Sequence, residues 1–239
     1  AVVQPNSISE IQFLFKFTQQ NKIPMTFRAA GTSLSGQAVT DGILVDISKY
    51  WDKYSIEDDP KHIRFQPGLV GGFLNNALKP HRRRIGPDPA SIDACMMGGI
   101  LANNSSGMCC GVTENSYRTI HSMTFVLPNG FVLDTADPKA NQIFENEQPH
   151  IAKGLLELKQ RIVNSTSQYK GETLAKKINR RYQMKNNNGY LLNAFLDFNS
   201  PLDILTHLLI GSEGTLGFIA EAVLHTLSDY TYKYTGQMY

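Results

Sequence analysis

The spacing of apolar positions changes several times along the chain, and each change predicts an element. Val2 and Val3 open a strand, and "NSISEIQFLFKFTQQNK" then carries Ile8, Ile11, Leu14 and Phe15 at helical spacing. Ser7 followed three residues later by Glu10 makes a capping box at its start. Two short runs, "MTFRA" and "GILVDI", read as strands on either side of the turn "RAAGTSLSG", Arg28 to Gly36. A third strand, "HIRFQPG", leads into a helix in "LVGGFLNNALKPH" that Pro80 ends. From Arg84 to Gly111 the periodicity lapses, which predicts a long loop of the kind that usually carries function. Beyond it, "TIHSMTFVLPNGFVLDT" alternates on both sides of Asn129 and Gly130, a hairpin pattern. Helical spacing returns from Gln142 to about Asn164, and "ETLAKKINRRYQMK" reads as a more polar helix. The last elements are a helix from Leu202 to Ile210, a glycine-rich turn, and a strand from Phe218 to Leu227.

Composition narrows the function classes. With 239 residues, 41% apolar, 18% charged and a net charge of +2, the chain has the make-up of an ordinary soluble protein with a real core. Near-neutral charge gives no support for nucleic acid as a partner. Cys95, Cys109 and Cys110 are odd in number and lack C-x-x-C spacing, so the cysteines encode neither a disulfide framework nor a metal site. A reducing, cytoplasmic setting is expected, with peripheral contact at an inner membrane as the variant. No apolar run reaches the roughly 18 residues of a membrane span. The chain opens in a strand-like run without Met and stops just after another, so a piece of a longer protein is expected.

Three glycine-rich turns ask for a common explanation: Arg28 to Gly36, Met97 to Gly111, and Gly211 to Gly217. Small side chains let backbone amides approach a ligand, and successive amides in a turn favour an anion such as phosphate. Neither G-x-G-x-x-G between strand and helix nor G-x-x-x-x-G-K-[ST] is present, so a nucleotide is held by another scheme.

In order and separation, "RAAGTSLSG" after Pro24, "PDP" at Pro87 to Pro89, "MGGILANNSSG" at Met97 to Gly107, "KNNNGYLLNAFLDF" and "IGSEGTLGFI" resemble the flavin-binding domain of FAD-linked oxidases and dehydrogenases of the vanillyl-alcohol oxidase type. The resemblance covers nearly the whole chain. "RAAGTSLSGQ", "LANNSSGM" and "GSEGTLGFIAEA" are most similar to the bacterial D-2-hydroxy-acid dehydrogenases that fuse this domain to an iron–sulfur domain. The resemblance implies an α+β fold of two lobes, residues 1–85 with mixed strands and two helices and residues 86–239 with an antiparallel sheet flanked by helices, and FAD between them.

It also implies site residues. In the first turn, Arg28, Ala29, Ala30, Gly31, Thr32, Ser33, Gly36 and Gln37 would cradle the FAD pyrophosphate; Arg28 could equally pair with Asp41 or Asp46. In the second, Pro87, Asp88, Met97, Gly98, Gly99, Ala102, Asn103, Asn104, Ser105 and Gly107 would meet the flavin, with a side-chain-bonded turn as the other reading of the Asn pair. In the third, Glu213, Gly214, Gly217 and Ile219 would reach the adenine end; a carboxylate at Glu213 needs a cationic neighbour or a ribose hydroxyl. Where many relatives tether FAD through a His, this chain has Thr32, so non-covalent FAD is expected, and Cys95 is expected to be a small buried thiol. Cys109 and Cys110 could flank the flavin, without a catalytic role.

The implied reaction is oxidation of a D-2-hydroxy acid, D-2-hydroxyglutarate or D-lactate, by hydride transfer to FAD, with electrons passed to an unspecified acceptor. The cap domain that supplies most substrate contacts, and any iron–sulfur cluster, would lie outside this chain, leaving the fragment inactive alone. Lys185, Asn186 and Tyr190 are the candidates here for the substrate side, against ordinary packing. The six histidines look scattered: His207 falls on an apolar helix as a core residue, while His121 and His225 lie in strands. "HRRR", His81 to Arg84, reads as a solvated patch, or as a docking face for another domain or an anionic membrane. Two other functions stay open: a non-catalytic nucleotide-binding module, and a relative of the same fold acting on another alcohol.

Overall fold

The computed structural model describes all residues except Asp58, Ser167, Lys170, Lys233, Thr235 and 237–239, together with the backbone only of Gln168 and Tyr169. The chain runs β1 (Val2–Val3), α1 (Ile8–Asn21), β2 (Met25–Arg28), β3 (Ile43–Asp46), β4 (Tyr54–Ile56), β5 (His62–Phe65), α2 (Gly71–Leu78), β6 (Arg83–Arg84), α3 (Met97–Asn103), α4 (Ser116–Thr119), β7 (Ile120–Val126) and β8 (Val132–Asp134). It continues through α5 (Ala140–Glu147), α6 (Pro149–Val163), β9 (Gln168–Tyr169), β10 (Glu172–Thr173), α7 (Leu174–Arg181), α8 (Ala194–Asp197), α9 (Pro201–Leu209), β11 (Phe218–His225) and β12 (Leu227–Ser228). The architecture is α+β, as the resemblance implies.

Among the described residues the strands form two main sheets. The parallel one has order β1-β3-β2, and the antiparallel one has order β4-β5-β11-β7-β8. Helix α1 closes the parallel sheet by burying Ile11, Leu14 and Phe15 with Ile43, Val45 and Trp51, and the same cluster takes Val126, Phe218 and Ala220 from the antiparallel sheet. Phe218 stacks on Phe27 at 4.9 Å and meets Trp51 edge-on at 5.1 Å. The two sheets are therefore joined through a shared apolar seam rather than a hinge. A second, larger cluster joins the antiparallel sheet to α2, α3, α5, α6, α8 and α9 through residues such as Phe125, Phe144, Leu101 and Leu209.

Several elements differ from expectation for physical reasons. Strands β4 and β5, within the expected first lobe of 1–85, hydrogen-bond into the sheet expected for 86–239; Phe65 faces Ala222 and His62 faces His225. Periodicity cannot reveal which sheet a short strand joins, because that depends on partners far along the chain. The loop predicted from Arg84 to Gly111 contains helix α3, whose two glycines erase the helical apolar pattern. The helix predicted over 142–164 is two helices broken at Gln148 before Pro149. The capping box is displaced: Glu10 accepts from the Asn6 amide at 2.7 Å, and the Ser7 hydroxyl meets Ser9 instead of the helix. The "HRRR" patch is only partly solvated, since Arg83 donates to the Thr226 carbonyl at 2.6 Å and Arg84 donates to Glu114 at 2.7 Å and stacks on Tyr230.

Candidate functional site

A cavity of about 350 Å³ opens where the two sheets meet. All three glycine-rich turns contribute to its wall, although the first and third lie at opposite ends of the chain. Turn 29–38 follows β2, α3 stands opposite, and turn 211–217 joins α9 to β11. Apolar floor comes from Phe27, Ile47, Pro67 and Phe218.

The first turn supplies donors. Ala29, Ala30, Gly31, Thr32, Ser33 and Gln37 line the cavity, and among the described residues the amides of 30–35 donate to no carbonyl or side chain. A row of unused amides in one turn is an anion cradle. Gly31 has φ +67, a conformation that favours glycine, and an added Cβ would strike the Arg28 guanidinium 2.5 Å away. Arg28 itself lies outside the cavity wall, beside Asp46, whose carboxyl is held below its usual range: burial opposes this, but bonds from Ser48 and Gln4 and the Arg28 charge outweigh it. The Ser33 hydroxyl is bonded to Gln37, which braces the turn, and Gly36 (φ +80) bends it without lining the wall.

Helix α3 presents its small residues. Gly98, Gly99, Ala102 and Asn103 line the cavity, followed by Ser105. The two glycines differ in kind. A Cβ on Gly98 would come within 2.8 Å of the Pro67 ring, whereas a Cβ on Gly99 would meet nothing within 4 Å. Gly98 is small because the fold crowds it; Gly99 is small beside empty space, which is what a flat ligand on that wall requires. Met97 is fully buried in the core and Asn104, in left-handed conformation, caps α3 and accepts from the Tyr117 amide at 3.1 Å. Neither lines the cavity.

Pro87, Asp88 and Gly107 do not line the cavity either. Asp88 accepts from the amides of Gly107 at 2.7 Å, Cys109 at 2.9 Å and Cys110 at 3.2 Å. Burial pushes its carboxyl up, but these bonds outweigh it and hold the group below its usual range. A Cβ on Gly107 would collide with the Asp88 carbonyl. Cys109 and Cys110 stand away from the cavity; Cys95 lines it as a buried thiol, and burial raises its pKa.

The third turn docks on the end of α3. The amides of Gly211 and Glu213 donate to the carbonyls of Leu101 and Ala102 at 2.9 and 2.8 Å, satisfying helix-end acceptors. Glu213 (φ +53), Gly214, Gly217 and Ile219 line the cavity. The cationic neighbour sought for Glu213 is replaced by an amide, since Asn103 Nδ2 donates to its carboxylate at 2.6 Å. Asn103 also accepts from the Ser105 hydroxyl at 2.9 Å and from Asn187 at 3.0 Å. One side chain thus ties the second turn, the third turn and the segment before α8 together.

Of the substrate-side candidates, none lines the cavity. Lys185 donates to the Ser106 carbonyl, Asn186 accepts from Arg181 at 3.0 Å, and the Tyr190 hydroxyl meets Thr215 at 2.8 Å. Asn187, rather than Asn186, reaches the wall through Asn103. Sequence reasoning also missed Phe27, Ile47, Pro67, Ser91 and Met96, wall residues outside the quoted motifs, and Ser212, which lies within the third motif. His207 is half-buried rather than in the core, stacked on Phe198 at 3.8 Å and bonded to the Asp203 carbonyl at 2.8 Å.

Comparison with known proteins finds relatives that align along nearly the whole chain. The chain is 30% identical over 236 residues to the D-2-hydroxyglutarate dehydrogenase of Haemophilus influenzae, a match covering 95% of this chain and 22% of that protein. The Escherichia coli protein of the same name is 29% identical, with 94% and 22% covered. The E. coli glycolate oxidase subunit GlcD is 30% identical over 52% of this chain and 26% of its own length. Among solved structures, alkyldihydroxyacetonephosphate synthase matches at TM-score 0.57 and 18% identity, covering 95% of this chain and 31% of that one. FgChi7B matches at 0.59 and 18%, covering 95% and 35%. These two establish the fold alone. The chain spans about a fifth of the length of the curated relatives it matches. Among the described residues no helix is long and apolar enough to cross a membrane. The FAD binding domain family model matches residues 1–136, the span that holds the first two turns, and the chain belongs to that family.

Proposed function

We propose that this chain is the FAD-binding part of a flavin-dependent oxidoreductase that oxidises a D-2-hydroxy acid, with D-2-hydroxyglutarate as the first substrate to test and D-lactate as the second. The observation that carries the reading is the cavity itself, built from three distant turns with unused amides on one wall and the open face of Gly99 on another. Alignment along 95% of the chain with D-2-hydroxyglutarate dehydrogenases supports the substrate class.

Bound FAD supplies a two-electron acceptor for the hydride on the carbon bearing the substrate hydroxyl. The chain's own residues hold and orient it. Amides 30–35 offer donors to phosphate oxygens, Gly99 and Ala102 leave room for a flat ring, and Phe27, Ile47 and Phe218 give the floor an apolar surface. Asn103 fixes the separation of α3 and turn 211–217. Thr32 lines the cavity, whose lining among the described residues includes no His to form a tether, and burial keeps Cys95 a thiol, so the FAD is proposed to be dissociable. Lys185, Asn186 and Tyr190 are engaged in the bonds described above, which supports placing the substrate's carboxylate partner and proton acceptor outside this chain. Three free cysteines favour a reducing, cytoplasmic setting.

The test is anaerobic mixing of the FAD-loaded full-length protein with D-2-hydroxyglutarate, D-lactate and their L enantiomers while the flavin absorbance is followed. Bleaching by a D enantiomer alone is the expected result. Flavin that dithionite bleaches but no 2-hydroxy acid does would refute the proposal.

A further inference from the structure

Far from the cavity, the antiparallel sheet gathers three of the six histidines. His62 and His225 are directly paired residues of neighbouring strands β5 and β11. His121 comes from β7 on the other side of β11, and its position depends on a β-bulge. Val223 pairs with Ser122 but Leu224 pairs with Ile120, so His121 is an extra residue in β7. In unbroken register Leu224 would face His121 and His225 would face Ile120, setting core residues against solvent-facing ones. The bulge keeps Leu224 and Ile120 together in the core and leaves His121 beside His225. Bulges of this kind re-aim side chains and are frequent next to sites.

The result is a triangle of imidazoles. Ring centroids are 4.6 Å apart for His62 and His121 and 4.8 Å for each of the other two pairs, and one nitrogen from each ring can be chosen so that all lie within 4.8 Å of one another. The Nε2 of His62 is buried without a hydrogen-bond partner among the described residues. A buried polar atom left unpaired is costly and calls for an explanation. Glu57, whose charge acts on His121, and Asp59, whose charge acts on His62, add negative potential; Lys61 pairs with Asp59, and Arg64 is held by Glu57 at 3.3 Å and Glu221 at 2.6 Å.

We propose that His62, His121 and His225 form a tris-imidazole site for one divalent transition-metal ion of the zinc class, separate from the cofactor cavity. His225 lies seven residues along β11 from Phe218 on the cavity wall, roughly 23 Å at strand rise. Three nitrogen donors without an oxygen ligand suit zinc, copper, nickel or iron and not magnesium or calcium. Metal–nitrogen distances of about 2.0–2.1 Å require the rings to close in by about 1.5 Å, within reach of side-chain rotation for the exposed His121 and His225. Three protein ligands leave a position for water, so the site is open rather than closed.

The experiment uses metal-stripped, FAD-loaded full-length protein, titrated with Zn²⁺ against a chromophoric chelator and with Co²⁺ for its d–d spectrum. Variants are His121→Ala, His225→Ala, the pair together, and Cys109→Ser as the control for an exposed thiol; thermal unfolding and flavin content report that each is folded. The expected result is a Zn²⁺ equivalent whose affinity falls more than about tenfold in each histidine variant, since loss of even an outer-shell partner costs about 10–100-fold. Cys109→Ser should keep it, and Co²⁺ should give d–d bands of an imidazole site without thiolate charge transfer. Equal Zn²⁺ binding by wild type and the folded double variant, or loss of the ion in Cys109→Ser, overturns the proposal.

Discussion

Gly99→Ala separates the demands of the cofactor from those of the fold. Gly99 sits inside α3, and a Cβ there meets nothing within 4 Å. Glycine in a helix interior is about 0.8–1.0 kcal/mol less favourable than alanine, so the variant without FAD should be more stable by about that amount. For a domain of this size about 1 kcal/mol corresponds to a rise of roughly 2–4 °C in Tm. Gly99 also lines the cavity where the cofactor is proposed to lie, so the added methyl group competes for space on that wall. At FAD 100-fold above Kd, binding raises stability by about 2.7 kcal/mol, and a tenfold weaker Kd reduces that to about 1.4 kcal/mol. Thermal unfolding of wild type and variant, each with and without FAD, reads both effects. The apo Tm should rise while the FAD-induced increment falls by about half, and Gly99→Leu should abolish the increment. An unchanged increment in both variants would mean that FAD does not lie against this wall, and a lower apo Tm would mean that the site is crowded after all.

Other outcomes follow from single contacts. Gly98→Ala should do the reverse of Gly99→Ala, lowering apo stability by about 1–3 kcal/mol through its clash with Pro67, as denaturant unfolding would register. Asp88 has a folded pKa below its unfolded value, so it stabilises the protein above the unfolded pKa near 3.8, and that contribution is lost as pH falls through the folded value. Asp88→Asn should cost about 1–3 kcal/mol at neutral pH, and urea titrations at descending pH should show its gap from wild type closing below that range. Tyr117→Phe removes a 2.8 Å bond to the Asp197 carboxylate and should cost about 1.5–3 kcal/mol in chemical denaturation, with FAD affinity by fluorescence titration unchanged. Asn103→Leu leaves Glu213, Ser105 and Asn187 without their shared partner and should weaken FAD at least tenfold, measured by the same titration.

Much of the chemistry was legible one stretch at a time. Glycines, hydroxyls and amides in "RAAGTSLSG", "MGGILANNSSG" and "GSEGTLGFI" mark turns where backbone can come close to a ligand, and fifteen of the residues expected to hold FAD line a cavity that all three turns share. Local spacing also fixed α1, α9, the β7–β8 hairpin and β11, because amphipathic period and turn residues act within a few positions. What a short motif cannot express is which of its members face the ligand. Asn103 and Asn104 are adjacent and alike, yet helix geometry points one at the cavity network and makes the other a buried cap. Gly98 and Gly99 are likewise indistinguishable until Pro67, far earlier in the chain, is found against one and not the other. Asp88 is expected as a cofactor contact because it stands in a motif, yet its carboxylate accepts from the backbone amides of Gly107, Cys109 and Cys110 on the far side of α3. The same limit hid the histidines. Their positions, 62, 121 and 225, carry no spacing signal, and only the pairing of β5, β11 and β7, with one bulge to correct the alternation, brings their rings together. Sequence determined the local period and the residue types the cofactor needs; tertiary pairing, which acts between residues far apart in the chain, decided which faces meet.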